Sequence, residues 1–172
     1  MSDIWHKLIH HALHAAAHAY HHHNHEKHRR EQTDRERAHR LSDFAGVMYD
    51  LCKQAGFEIQ TLEAEFAAYE FEERVICIGF EAGRLTCYAA TPFKFFTRPP
   101  REVDQFLENR SSSLQYGDWN LERHSAHYTA MLQIAINPEA FDQELFLFVT
   151  QYAHEERAEV EQMLYQAGYK PS

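Results

Sequence analysis

Residues 74–91, RVICIGFEAGRLTCYAAT, decide the fold class. Two runs rich in β-branched and aromatic residues, RVICIGF and RLTCYAAT, are separated only by Glu81-Ala82-Gly83, a short turn with glycine at its end. That is the pattern of an antiparallel hairpin. Its register decides whether Cys77 faces Cys87 or Tyr88, and a slip of one residue places the two thiols on opposite faces of the sheet.

Upstream of the hairpin, FEIQ begins an alternating pattern, and TLEAEFAAYEF fits a helix or a strand equally. Leu41 to Ala55 has the period of a helix. Ser42 or Asp43 supplies the cap, Phe44, Val47, Met48, Leu51 and Cys52 the buried stripe, and Gly56 the stop. Downstream, Pro92, Pro99 and Pro100 bracket the aromatic run FKFFTR, expected to be a strand end or crossover because proline cannot donate to a central ladder. PPREVDQFLENR starts a short helix with proline, SSSLQYG reads as a loop, and GDWNLER and HYTAMLQIAI as two strands turning near His124 and Ser125. A long helix closes the chain, with Asn137 as cap, Pro138 in its first turn and an apolar face of Phe141, Leu145, Phe148, Val149 and Tyr152. The polar insert HEER (154–157) predicts a kink or break near His154. The order predicts an α+β domain over residues 41–172, an antiparallel sheet of about five strands flanked by helices.

Residues 1–40 differ in kind. Ten of the fourteen histidines fall between His6 and His28. With a helical step, Trp5, Leu8, Ile9, Ala12, Leu13, Ala16 and Tyr20 gather on one side, and His6, His10, His14, His18 and His21 on the other. Beyond Tyr20 the apolar face stops. Glu26/Arg30, Glu31/Arg35 and Glu36/Arg40 are acid-before-base pairs four residues apart, each contributing roughly 0.2–0.5 kcal/mol to an exposed helix. A long helix over residues 4–40 is expected, its second half a charged spacer.

Three chemistries fit the histidine stripe. It can be a solvated helical face. It can bind Zn, Ni or Cu through neutral imidazoles, with His6, His10, His14, His18, His21, His22, His25 and His28 as candidate ligands, shared between two arms because one helix seldom closes a tetrahedral site. Or it can be a membrane-surface helix or pH switch that turns cationic below about pH 6.

Charge separates arm from body. Residues 1–40 carry +2 without histidine, leaving −11 of the total −9 on residues 41–172. An acidic body disfavours a phosphate backbone, so no nucleic-acid partner is expected. Three cysteines without a C-x-x-C spacing suggest free buried thiols in a reducing cytoplasm. The first residues lack a basic leader and an uninterrupted apolar run, so they do not read as a secretory signal, and no apolar run of membrane-spanning length occurs.

No enzyme signature stands out. His124 and His127 flank a turn and are expected on opposite faces. His154 precedes Glu155 and Glu156, but H-E-E-R lacks the second histidine of H-E-x-x-H. The acidic run Glu70, Glu72 and Glu73 reads as a solvated rim, so a non-enzymatic protein is expected.

Over RPPREVDQFLENRSSSLQYGDWNLERHSAHYTAMLQIAINPEAFDQELFLFV, the sequence resembles the YbjN-like proteins and the related Tir-chaperone (CesT-like) type III secretion chaperones. There a short helix leads into an Asn-containing loop, a Gly-aromatic strand like Gly117-Asp118-Trp119, a second strand and a helix introduced by Pro-Glu. The resemblance spans roughly residues 42–167 and leaves the histidine arm outside. It implies an acidic, non-enzymatic, often homodimeric protein that binds a protein client or regulatory partner. Candidate contact residues are Trp5, Leu8 and Leu13 on the arm and Phe93, Phe95 and Phe96 in FKFFTR. A metal-handling protein dimerised by its α+β domain is the alternative.

Overall fold

The computed structural model describes residues 43–172. The expected helix over residues 4–40 and the boundary between 40 and 41 lie outside them. Helix α1 spans Phe44–Ala55. Asp43 accepts the Gly46 N–H on its carboxylate at 3.0 Å, and Gly56, at φ 74°, ends the helix in the left-handed conformation. Strands β1 (Glu58–Leu62), β2 (Phe66–Phe71), β3 (Arg74–Glu81) and β4 (Arg84–Phe95) follow as a meander. Helix α2 (Arg101–Ser113) then crosses to β5 (Asp118–Arg123) and β6 (Tyr128–Ile136), and α3 (Gln143–Gln166) closes the fold.

The sheet has six strands, not five, in the order β1-β2-β3-β4-β6-β5, every adjacent pair antiparallel. The extra strand comes from TLEAEFAAYEF, whose middle turns, with the Glu63 N–H donating to the Phe66 carbonyl at 2.8 Å. Cys77 pairs with Tyr88 and Ile78 with Cys87, so the two thiols face opposite sides.

Pro92 does not end β4. The strand shifts register against β6 between Ala90 and Lys94, and the Thr129 hydroxyl reaches the carbonyls of Phe93 (2.8 Å) and Thr91 (3.3 Å) there. A bulge past the end of the β3 pairing is where a proline is tolerated within a sheet. The serines expected in a loop extend α2 instead, each hydroxyl donating back to a carbonyl one turn earlier: Ser111 to Leu107, Ser112 to Glu108 and Ser113 to Arg110. Gly117 is required where it stands. Its φ is +84°, and a Cβ there would lie 2.7 Å from the Gln133 carbonyl oxygen.

Two expectations for the last helix change. Asn137 caps a single 3₁₀ turn, Pro138–Ala140, and α3 starts later on Asp142, which accepts the Leu145 N–H at 2.8 Å. The helix also runs through HEER without a break. Glu156 and Arg157 are buried there, and both have partners on neighbouring elements, so no polar face needs to turn outward. The buried stripe is Phe146, Val149, Ala153, Val160 and Leu164, whereas Phe148 is half exposed beside Tyr116 and Tyr152.

All three helices bury their apolar stripes in one cluster with a single face of the sheet: Tyr69, Ile76, Ile78, Leu85, Cys87, Ala89, Trp119, Leu132 and Ile134. Within it the Tyr69 hydroxyl and the Thr150 hydroxyl share a hydrogen bond of 2.7 Å.

Candidate functional site

Alternation along the strands places a second set of residues on the opposite face. One row crosses five strands, Ala68–Cys77–Tyr88–Gln133–Asp118, and a neighbouring row crosses four, Phe66–Gly79–Thr86–Ala135. Val75, Ala90 and Met131 fill the middle. None of these residues belongs to the core cluster, and no described helix packs on them. Even so, Met131 is 2 % exposed, Ala68 and Cys77 are equally inaccessible, and Phe66, Val75, Tyr88 and Ala90 are half-buried.

The face is apolar at its centre and mostly acidic at its edges. Gly79 forms a dip beneath Tyr88, whose ring carbon would sit 3.4 Å from an added Cβ. Gln133 donates to Glu122 at 2.9 Å, and Glu70, Glu81, Asp118 and Glu122 outnumber Arg84 and Lys94 around the rim. An antiparallel sheet that faces water normally alternates to polar on that side; here the middle does not. Such a surface can hold an apolar segment with basic flanks.

The three predicted contact residues that are described, Phe93, Phe95 and Phe96, do not share one surface. Phe93 is 3 % exposed and belongs to the core, because it continues the inward alternation of Leu85, Cys87, Ala89 and Thr91 along β4; it is not a contact residue. Phe95 is half-buried edge-on to Tyr169 at 5.3 Å, and Phe96 is 72 % exposed. Trp5, Leu8 and Leu13, and the proposed metal ligands His6, His10, His14, His18, His21, His22, His25 and His28, lie outside the described residues. Among the described residues, no three His, Cys, Asp or Glu side chains come together as a metal site.

His124 and His127 are not on opposite faces. Their rings stack at 4.8 Å and 26°, because the turn closes with the His124 N–H donating to the His127 carbonyl at 2.7 Å. Burial pushes the Cys52 thiol up to about 11 and the Cys77 thiol up to about 12, and raises Cys87 as well. Thiols held that far above neutral pH are poor nucleophiles and metal ligands.

Two buried charged groups on α3 tie the helix to the rest. Glu156 accepts two hydrogen bonds from Arg110 of α2, at 2.7 and 2.6 Å, and one from the Trp119 indole of β5 at 2.9 Å. Arg110 also pairs with Glu159. Arg157 is almost fully enclosed; it donates to the Val75 carbonyl at 2.6 Å, lies 4.0 Å from Glu161, and leaves one Nη without a partner. Burial, with Arg74 nearby, lowers its pKa to about 9. His154 sits 3.0 Å from Glu72 with its ring edge-on to Phe71, and burial lowers its pKa. Sequence inspection missed Arg157, although it falls on the stripe Ala153–Arg157–Val160–Leu164 and its helical spacing marked it as buried.

No known family model matches the chain, and no curated protein matches it. A crystal structure of an uncharacterized protein from Methanothermobacter thermautotrophicus is similar, with a TM-score of 0.54 at 11 % identity over 71 % of this chain and 96 % of that one. At that identity the likeness concerns the fold alone. Among the described residues, no helix is long and apolar enough to cross a membrane.

Proposed function

We propose that the domain is a non-enzymatic protein-binding module, of chaperone or regulatory type, that holds a segment of another polypeptide on the sheet face opposite its helices. The observation that carries this reading is the apolar centre of that face, Phe66, Val75, Tyr88 and Met131, on a side that no described helix covers. The acidic rim selects a segment with basic flanks. The resemblance to the YbjN-like and secretion-chaperone proteins agrees, since those chaperones wrap client segments around their sheets. In the same reading the chain is a homodimer in the cytoplasm, and the histidine arm is a divalent-metal ligand set.

A photoreactive amino acid placed at Asn120 or Ala135, both exposed on this face, tests the reading in cells. Cross-links to a second protein from these positions, and none from Glu155 on the solvent side of α3, are expected. A partner captured equally from Glu155, or from Glu155 alone, would refute the assignment.

A further inference from the structure

We propose that residues 4–20 of the same chain cover the open sheet face, apolar stripe inward and histidine stripe outward, so that the arm and a bound partner compete for one surface. The proposal rests on the reading of that face as the binding surface and adds its regulation.

Four observations lead there. The first is size. Six strands about 4.8 Å apart span roughly 24 Å, and a helix of the length of residues 4–20 runs about 25 Å at 1.5 Å per residue. The second is the point of attachment. α1 begins at Phe44, whose ring stacks on Phe80 at 6.1 Å, and the Phe80 N–H donates to the Glu65 carbonyl at 2.8 Å. The chain therefore enters the domain beside the end of the sheet that carries Phe66 and Thr86. Residues 21–42 between this point and the stripe reach about 33 Å even when helical, enough to cross the sheet.

Charge is the third. Residues 4–20 carry Lys7 and no acid, residues 21–40 add +2, the body carries −11, and the rim of this face is acidic. The fourth is relief. Ala68, Gly79 and Ala90 are small between the larger Phe66, Tyr88 and Met131, which leaves dips for Trp5, Leu8 and Leu13.

The test uses the purified full-length chain with benzoylphenylalanine at Ala135 or Asn120, irradiated as a mixture of ¹⁵N-labelled and unlabelled copies and read by peptide mass spectrometry. Cross-links within one copy to residues 4–20 are expected, with none from Glu155. Leu8→Asp/Leu13→Asp should cut their yield about tenfold, since it removes the burial of two leucines. Products joining labelled to unlabelled copies would put a second copy on the face and overturn the proposal. So would arm products equally strong from Glu155, or no arm product at all. In cells, the same double variant should raise partner cross-linking at Ala135 several-fold. If partner capture at Ala135 persists while arm products are absent, the covering arm fails and the binding face stands. If neither kind of product forms there, both fail.

Discussion

Arg110→Met should destabilise the domain by about 3 kcal/mol, because it strands a buried carboxylate. Glu156 is 6 % exposed and takes two charge-assisted hydrogen bonds from Arg110 and one from the Trp119 indole. Each bond to a charged group contributes roughly 1.5–3 kcal/mol, and breaking a buried pair from one side costs about 3–5 kcal/mol. The Arg110 side chain is 23 % exposed, so water entering its place offsets part of this, and the lower end applies. With a urea slope near 2 kcal/mol/M, the unfolding midpoint should fall by about 1.5 M. Replacing both partners removes the stranded charge, so Arg110→Met/Glu156→Met should lose only about 1 kcal/mol, well short of the sum of the two single losses in a double-mutant cycle. A single-mutant loss below about 0.5 kcal/mol, or strictly additive losses, would show that the triad does not join α2, β5 and α3 as argued.

Arg157 should behave the other way. Its countercharge is 4.0 Å away and one Nη has no partner, so Arg157→Met should change stability by less than about 1 kcal/mol, or raise it, in the same urea assay. His154 titrates below the ordinary histidine value of 6.5 because it is buried, with Arg157 and Arg74 opposing and Glu72 and Glu155 favouring its charge. The unfolded chain then binds the proton first, so stability should fall as pH drops below 6.5 toward the folded value. That part of the acid slope should vanish in His154→Gln. Glu73 closes the β2–β3 hairpin at φ 61°, and Glu73→Gly should stabilise the domain by roughly 1 kcal/mol, visible as a higher Tm. For the arm, calorimetry with Zn²⁺, Ni²⁺ and Cu²⁺ should give saturable binding that His10→Gln/His14→Gln/His18→Gln/His21→Gln abolishes; unchanged affinity would remove the metal reading.

The hairpin at 74–91 was legible from two β-rich runs about a short glycine turn, and the helix at 44–55 from its apolar period between a cap and Gly56. Elements were misjudged where tertiary partners overrode local chemistry. The serines after Asn109 read as loop residues, yet their hydroxyls satisfy the helix's own carbonyls. HEER read as a solvent-facing break, yet Arg110, Trp119 and the Val75 carbonyl supply what its charges need. Phe93 read as a surface aromatic because Pro92 signals a strand end, yet β4 continues through the proline and carries the inward alternation of Leu85, Cys87 and Ala89 on to Phe93. The open sheet face was invisible for a related reason. Its residues are ordinary strand residues one at a time, and only the register between strands that are distant in sequence assembles them into one surface.

The strand order also sets a timetable. β4 is the longest strand and pairs with β3 on one side as soon as that hairpin is made, but its other neighbour is β6, delivered after α2 and β5. On a ribosome, about forty residues must be added between the end of β4 and the end of β6, roughly 2–8 s at 5–20 residues per second. Through that interval the nascent chain displays a long, unpaired, largely apolar strand edge, the state most prone to pair with another chain. The bulge at Pro92 interrupts that edge, so the feature that lets a proline sit within β4 also shortens the stretch on which a wrong neighbour can zip.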